Sequence, residues 1–220
     1  MLPSPLLGPA MWRPVAAELA RRGWQTVLPG AADGAPQTPD DVLRHLTGAL
    51  PADRDLILLP HSNAGLYVPA LTARLRVAGY VFVDAGLPEG TTVPLAAPAF
   101  YDFMRAKADE DGLLPPWTRW WGEDALAALF PDGAARAEVE REQRRLPLSY
   151  FSRSLPVPAG WDDRPGAYLA FGDTYGADRE RAIRRGWPTT TLPAAHLHTL
   201  VAPAQVAGEI DGLLAAIGLN

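Results

Sequence analysis

The chain has 220 residues, 48% of them hydrophobic, which suits one sizeable domain and excludes general disorder. It has no cysteine, which excludes disulfides, thiolate metal sites and a cysteine nucleophile. Its formal net charge of -5 argues against a nucleic-acid partner, since such proteins are usually basic.

Hydrophobic runs alternate with amphipathic stretches along the chain. Five runs are predicted strands, at 24–28, 55–59, 79–84, 166–171 and 187–192. Helices are predicted at 11–22, 39–50, 63–77, 177–186 and 203–217. Several strands are apolar throughout, as expected where helices cover both faces of a parallel sheet. The pattern therefore predicts an α/β domain with a mainly parallel central sheet flanked by helices.

The segment 94–165 interrupts this alternation. It contains no convincing strand, although helical patterns lie near 98–108, 117–130 and 133–145, and it is rich in proline and aromatic residues. We expect it to form a helical cap over the carboxyl edge of the sheet, where open α/β folds bind ligands. The domain organisation would then be a core of 1–93 and 166–220 with a cap insertion at 94–165. Helices that only add packing are the alternative.

The first residues carry no basic segment and are interrupted by Pro3, Pro5 and Pro9, unlike a signal peptide. No apolar run approaches the roughly 18–20 residues that cross a bilayer. We therefore expect a cytoplasmic protein without membrane attachment, and the oligomeric state stays open. Proline reaches 23 residues, about twice the usual share, so an ordered fold has to accommodate it.

The strongest functional signal lies where the run 55–59 gives way to a predicted helix. The residues there are Pro60-His61-Ser62-Asn63-Ala64-Gly65. This motif resembles the nucleophile elbow of the α/β-hydrolase superfamily, G-x-S-x-G, in which a strained strand-to-helix turn exposes a serine. Pro60 replaces the first glycine, whereas Ala64 supplies a small residue after the serine. A serine that only caps the helix is the alternative.

The resemblance implies a catalytic acid and histidine after Ser62, in the order Ser, acid, His. His196 follows the last predicted strand and matches the superfamily's catalytic histidine, with His198 as a pocket or structural neighbour. Asp173 is the leading candidate for the acid because it ends a strand where superfamily members usually carry one. The usual Gly-x-x-Asp spacing would instead place Tyr175 there, and Asp84 is the runner-up. A loop histidine exposed to solvent and an aspartate that only caps a turn are the structural alternatives.

The resemblance extends to the first residues, which align with the loop that normally supplies an oxyanion-hole N–H. Pro5 falls on the donor position and has no N–H to donate. Either Leu6 takes over or the backbone N–H of Asn63 acts alone, and losing one donor typically costs about 10²–10³ in rate. The His196-x-His198 pair has no evident third ligand, so no metal and no other cofactor is expected.

The first functional hypothesis is a serine hydrolase acting on a moderately large, apolar or aromatic ester, thioester or amide, either a small molecule or a peptide-like compound. The residues predicted to bind substrate, some of which would only pack the cap, are His61, Phe100, Phe103, Trp117, Trp120, Trp121 and His198. The alternative is a non-hydrolytic enzyme of the same fold, an epimerase, cyclase, lyase or decarboxylase of a natural-product pathway. Pro5 and Pro60 favour this alternative because they weaken the hydrolytic apparatus. A binding protein with a vestigial site is the third hypothesis.

Overall fold

Strands and helices alternate in the computed structural model of the protein, which describes residues 1–31 and 34–219. The strands are β1 (Leu56–Leu58), β2 (His61–Ser62), β3 (Val77–Ala85), β4 (Thr92–Pro94), β5 (Ser154–Pro156), β6 (Gly166–Phe171) and β7 (Thr189–Leu192). The α-helices are α1 (Arg13–Arg21), α2 (Pro39–Ala49), α3 (Val68–Thr72), α4 (Pro98–Arg105), α5 (Glu123–Ala127), α6 (Gly133–Glu142), α7 (Leu148–Phe151), α8 (Gly176–Arg184), α9 (His198–Val201) and α10 (Pro203–Ala216). Short 3-10 helices cover Pro9–Trp12, Asn63–Tyr67, Trp117–Trp120 and Trp161–Asp163.

The central sheet is parallel and has the order β1-β3-β6-β7, with β2 also paired to β3. Residues 80–83 of β3 pair with 166–169 of β6, and both strands are almost entirely buried. Strands buried on both faces explain why their sequences are apolar runs rather than alternating patterns. The predicted α/β class, a mainly parallel sheet with flanking helices, is confirmed.

Four of the five predicted strands are present, but 24–28 is not a strand. Its side chains are exposed or half-exposed, and the carbonyl of Val27 accepts a hydrogen bond from the amino group of Met1 at 2.7 Å. The indole N–H of Trp24 donates to Asp211 on α10 at 2.8 Å. These contacts hold the segment against the domain without regular secondary structure.

The segment 94–165 contains helices near the three predicted positions, with α4 to α7 inside it. The expectation that it contains no strand is wrong, since β5 pairs antiparallel with β4. Both strands are three residues long and end in proline, so they are too short to give a periodic pattern. The predicted helix 117–130 is broken at Trp121, whose backbone is extended.

The many prolines are compatible with this order because several start helices. Pro14, Pro39, Pro69, Pro98 and Pro203 occupy the first turns of α1, α2, α3, α4 and α10. The first helical N–H groups have no partner within the helix, so proline loses nothing there.

Across the described ranges, 1–31 and 34–219, none of the helices combines the length and the hydrophobicity required to cross a membrane.

Candidate active site

Ser62 ends β2 in a strained backbone conformation, with φ 57° and ψ -134°. The 3-10 helix Asn63–Tyr67 begins at the next residue, so the chain changes from strand to helix within one peptide. The carbonyl of Ser62 accepts a hydrogen bond from the N–H of Gly86 at 3.0 Å, which ties the turn to the end of β3. Positive φ is unfavourable for a residue with a side chain, and such strain is typical of functional sites. The geometry is that of a nucleophile elbow.

The turn depends on a glycine three residues after the serine. A Cβ atom on Gly65 would overlap the carbonyl oxygen of Gly86 and lie 3.1 Å from the ring of Phe82. Ala64, the small residue singled out from the sequence, is fully buried as well. The 3-10 helix can therefore approach the end of β3 only because both positions are small.

Proline at position 60 fits the elbow without losing a hydrogen bond. Leu2 bridges Pro60 by donating to the carbonyl of Leu59 at 2.8 Å and accepting from the N–H of His61 at 3.1 Å. On the other side, the carbonyl of Pro60 accepts from the N–H of Val83 at 2.9 Å. The bonds around Pro60 therefore use its neighbours and its carbonyl, so the missing N–H costs the sheet nothing.

A buried carboxylate–imidazole pair lies beside the elbow. Nδ1 of His196 is 2.6 Å from Oδ2 of Asp84, and Oδ1 of Asp84 accepts from the backbone N–H of Phe171 at 3.0 Å. Asp84 is fully buried at the end of β3 and also has a positive φ of 43°. Within the described ranges, Ser62 and Asp84 are the two non-glycine residues with positive φ. The backbone strain is thus concentrated at Ser62 and at Asp84, the partner of His196.

Asp173, the leading sequence candidate for the acid, lies outside this arrangement. Its side chain is 88% exposed and forms a 3.0 Å ion pair with Arg179 on α8. Asp84 takes the place beside His196 because β3 ends next to the histidine loop, whereas the turn after β6 directs Asp173 to solvent. The aspartate beside His196 is therefore Asp84, the runner-up in the sequence, and not Asp173.

Tyr175 is a site residue whose role sequence reasoning missed. It lies between β6 and α8, and its hydroxyl is 3.1 Å from Oγ of Ser62. Its ring centroid is 5.7 Å from that of His196. Burial raises the pKa of the Tyr175 phenol, so the group stays protonated at neutral pH. The signal that could have identified it is the Gly172-x-x-Tyr175 spacing, which puts this side chain at the superfamily's usual acid position.

His61, predicted to bind substrate, lies beneath the site and is fully buried. Its ring is 4.4 Å from the ring of His196, and its Nε2 donates to the backbone carbonyl of His196 at 2.9 Å. Burial first, and the neighbouring His196 second, hold the pKa of His61 well below its usual value of 6.5. The side chain therefore positions the histidine loop as a neutral imidazole rather than touching substrate.

A His61→Gln variant should be less sensitive to acid than the wild-type protein. The folded pKa is depressed, so below pH 6.5 the unfolded chain takes up a proton that the folded chain refuses, and stability falls as pH falls. Glutamine removes this titration while keeping an N–H donor at a similar reach. Between pH 7.5 and 5.5 the variant should lose about 1.4 kcal/mol less unfolding free energy than the wild type. Urea unfolding at both pH values measures this, and equal losses would contradict it.

The oxyanion loop offers fewer donors than a complete hole requires. The N–H of Leu6 donates to Oγ of Ser4 at 3.3 Å, so this candidate donor is already engaged. Ser4 is buried, and its carbonyl accepts from the N–H groups of Leu7 and Gly8. In the described part of the chain the backbone N–H of Asn63 has no acceptor, which leaves it available to a ligand.

Aromatic rings from the segment 94–165 extend from His196 towards the surface. The ring of Trp117 lies 6.1 Å from that of His196, and Trp121 lies 5.6 Å from Trp117. Phe103 stacks on Trp121 at 5.5 Å, and Phe100 stacks on Phe103 at 5.9 Å. Trp121 and Phe100 are each 37% exposed, so this aromatic run (Trp117, Trp121, Phe103 and Phe100) connects the site to solvent.

Two further residues predicted to bind substrate make other contacts. Trp120 is 3% exposed, and its ring packs against the aromatic run, 6.1 Å from the ring of Phe100 and 6.4 Å from those of Phe103 and Trp121. Its indole N–H donates to the carbonyl of Pro115 at 2.8 Å. His198 contacts the side chain of Gln205 at 3.2 Å and lies edge-on to Phe171. Neither side chain has a contact with Ser62 or His196 among the described ring pairs and hydrogen bonds.

No family model matches the sequence, and no curated protein is significantly similar to it. Solved structures, in contrast, match over nearly the whole chain. An extracellular α/β-hydrolase from a Paenibacillus species has 17% identity and a TM-score of 0.74, with 96% of each chain covered. A tomato methylketone synthase I variant complexed with β-ketoheptanoate has 13% identity and a TM-score of 0.76, covering 98% of this chain and 96% of its own. A pyrethroid hydrolase has 18% identity, a TM-score of 0.70 and the same coverage.

These neighbours define the fold of the chain. The chain has the α/β-hydrolase fold, as the elbow motif predicted from the sequence. Because the sequence identities to these structures are below one fifth, the similarity establishes the fold only. The reaction depends on the residues of the site.

Proposed function

We propose that the protein is a serine hydrolase. Ser62 attacks an acyl carbonyl, His196 takes the serine proton, and Asp84 orients the imidazole and stabilises its charged form. The observation that carries the proposal is the strained Ser62 at a strand-to-helix turn beside the buried His196–Asp84 pair. Oγ of Ser62 is hydrogen-bonded to Tyr175 rather than to His196, and catalytic contacts often tighten only when substrate binds.

The oxyanion in this proposal forms against the backbone N–H of Asn63. That N–H is the first of the 3-10 helix Asn63–Tyr67, and it is adjacent to Ser62. Leu6 does not contribute because its N–H is bonded to Ser4. A hole with one backbone donor lowers the expected rate by about 10²–10³ relative to a complete one.

The proposed substrate is a moderately large ester, thioester or amide with an apolar or aromatic portion. The aromatic run begins next to His196 and includes two side chains, Trp121 and Phe100, that are each 37% exposed, so it offers a continuous apolar wall to an acyl or alcohol group. We assign this wall to a cap formed by residues 94–165. The side-chain amide of Asn63 donates to the carbonyl of Leu95 at 3.1 Å and thereby ties the cap to the elbow.

A non-hydrolytic enzyme of the same fold is the second candidate. The engaged Leu6 N–H and the proline at position 5 favour it, because proton transfer by Ser62 and His196 needs no complete oxyanion hole. An epimerase, cyclase, lyase or decarboxylase would suit these residues. One experiment separates the two candidates.

A fluorophosphonate probe should label the wild-type protein at Ser62 and fail to label Ser62→Ala. The probe reacts only with a serine that a neighbouring base activates, so labelling reports the Ser62–His196 couple directly. Intact mass spectrometry and peptide mapping give the stoichiometry and the position. Ser152→Ala, which removes an exposed serine of the cap, is the matched control and should label like the wild type. Absence of labelling in the folded wild-type protein would contradict the hydrolase proposal and favour the non-hydrolytic candidate.

A further inference from the structure

Tyr175 stands where the superfamily spacing expects a carboxylate, and its hydroxyl reaches the nucleophile. The distance from the Tyr175 hydroxyl to Oγ of Ser62 is 3.1 Å, within hydrogen-bond range. The acid's task is taken by Asp84, which contacts His196 from the neighbouring strand. Tyr175 is therefore not needed as the acid, and its hydroxyl contacts Oγ of Ser62, the proposed nucleophile.

The phenol is fixed as a hydrogen-bond donor at neutral pH. Burial, followed by the nearby carboxylates of Asp84 and Asp178, raises the pKa of Tyr175, and only its hydrogen bond to Ser62 acts in the other direction. Ser62 must keep its own proton for His196. The consistent arrangement is therefore that Tyr175 donates to Oγ of Ser62.

The site needs such a donor. Pro5 has no N–H, and the N–H of Leu6 is bonded to Ser4, so Asn63 is left as the backbone donor to a developing oxyanion. Once Oγ has bonded to the carbonyl carbon, the carbonyl oxygen lies only two bonds from Oγ. A hydroxyl within hydrogen-bond range of Oγ therefore reaches that oxygen by a small reorientation.

We propose that Tyr175 donates a hydrogen bond to the anionic oxygen of the tetrahedral intermediate and so replaces the donor that Pro5 lacks. The proposal rests on the proposed hydrolase function. The Oγ–C bond forms as the Ser62 proton passes to His196 and the carbonyl π pair moves to oxygen. On collapse the bond to the leaving group breaks, and that group takes the proton from His196. Tyr175 keeps its own proton throughout.

The test combines Tyr175→Phe with a substitution that returns a backbone donor. Tyr175→Phe should lower kcat for an aryl ester by about 10²–10³, with KM changed less than about threefold. It should slow fluorophosphonate labelling to a similar degree. Pro5→Ala restores an N–H, so the double variant Pro5→Ala/Tyr175→Phe should regain at least about tenfold over Tyr175→Phe alone. Pro5→Gly serves as a second donor-restoring variant if alanine disturbs the loop.

Several outcomes overturn the proposal. A loss below about threefold in Tyr175→Phe means that the phenol contributes nothing to the transition state. A large loss that neither Pro5 substitution relieves means that Tyr175 only positions Ser62. The pH dependence of kcat/KM should be unchanged in Tyr175→Phe because the His196–Asp84 pair is intact, and a shifted profile also overturns the proposal. Failure of the hydrolase function itself is distinct, since the wild-type protein would then neither be labelled nor cleave the ester.

Discussion

Replacing Asp84 by asparagine should lower kcat for ester hydrolysis by about 10⁴-fold, whereas Asp173→Asn should leave it within about twofold. Asp84 is fully buried and lies 2.6 Å from Nδ1 of His196. Asparagine keeps the size of the side chain but removes the negative charge that stabilises the imidazolium formed when Ser62 loses its proton. Its amide can also donate to Nδ1, which would favour the wrong tautomer of His196.

Comparing Asp84→Asn with Asp173→Asn shows which of the two aspartates acts as the acid. Asp173 is exposed and paired only with Arg179, and exposed ion pairs contribute little, so its loss should change neither rate nor stability appreciably. Steady-state kinetics of both variants, with thermal unfolding to show that each is folded, measures the difference. A large rate loss in Asp173→Asn, together with a small one in Asp84→Asn, would contradict the geometry.

The proposed nucleophile and the proposed catalytic histidine could be singled out in the sequence because each lies in a local pattern. Ser62 follows an apolar strand and precedes a helix within a six-residue motif, and His196 lies in a loop between the last strand and the terminal helix. The parallel sheet follows from the same local alternation. These features depend on residues that are close together in the sequence, so the sequence alone is enough to predict them.

The carboxylate beside His196 could not be predicted in this way because its position depends on long-range packing. Asp84 and His196 are separated by 112 residues and meet because β3 ends beside the histidine loop. A family spacing pointed to the turn after β6, where the structure instead has an exposed Asp173 and an inward Tyr175. The positive φ of Asp84 is equally invisible in the sequence, since it is imposed by the surrounding fold.

The strained state of Ser62 should depend on Gly65, so Gly65→Ala should destabilise the protein by about 3 kcal/mol. The new Cβ would overlap the backbone carbonyl oxygen of Gly86, and no side-chain rotation can relieve a clash between two backbone-attached atoms. The 3-10 helix Asn63–Tyr67 would have to move away from β3. Gly212→Ala is the matched control, because this α10 glycine is exposed with open space around it and should gain about 0.5–1 kcal/mol.

Displacement of the helix should also lower activity in the molecules that remain folded. The N–H of Gly86 donates to the carbonyl of Ser62, so separating the two segments frees Ser62 to relax from φ 57°. Its Oγ would then leave the hydrogen bond with Tyr175. Urea unfolding gives the stability of Gly65→Ala, and fluorophosphonate labelling below the unfolding transition gives the reactivity of Ser62. A folded variant that is labelled at the wild-type rate would mean that the elbow holds its strain without the close contact at Gly65.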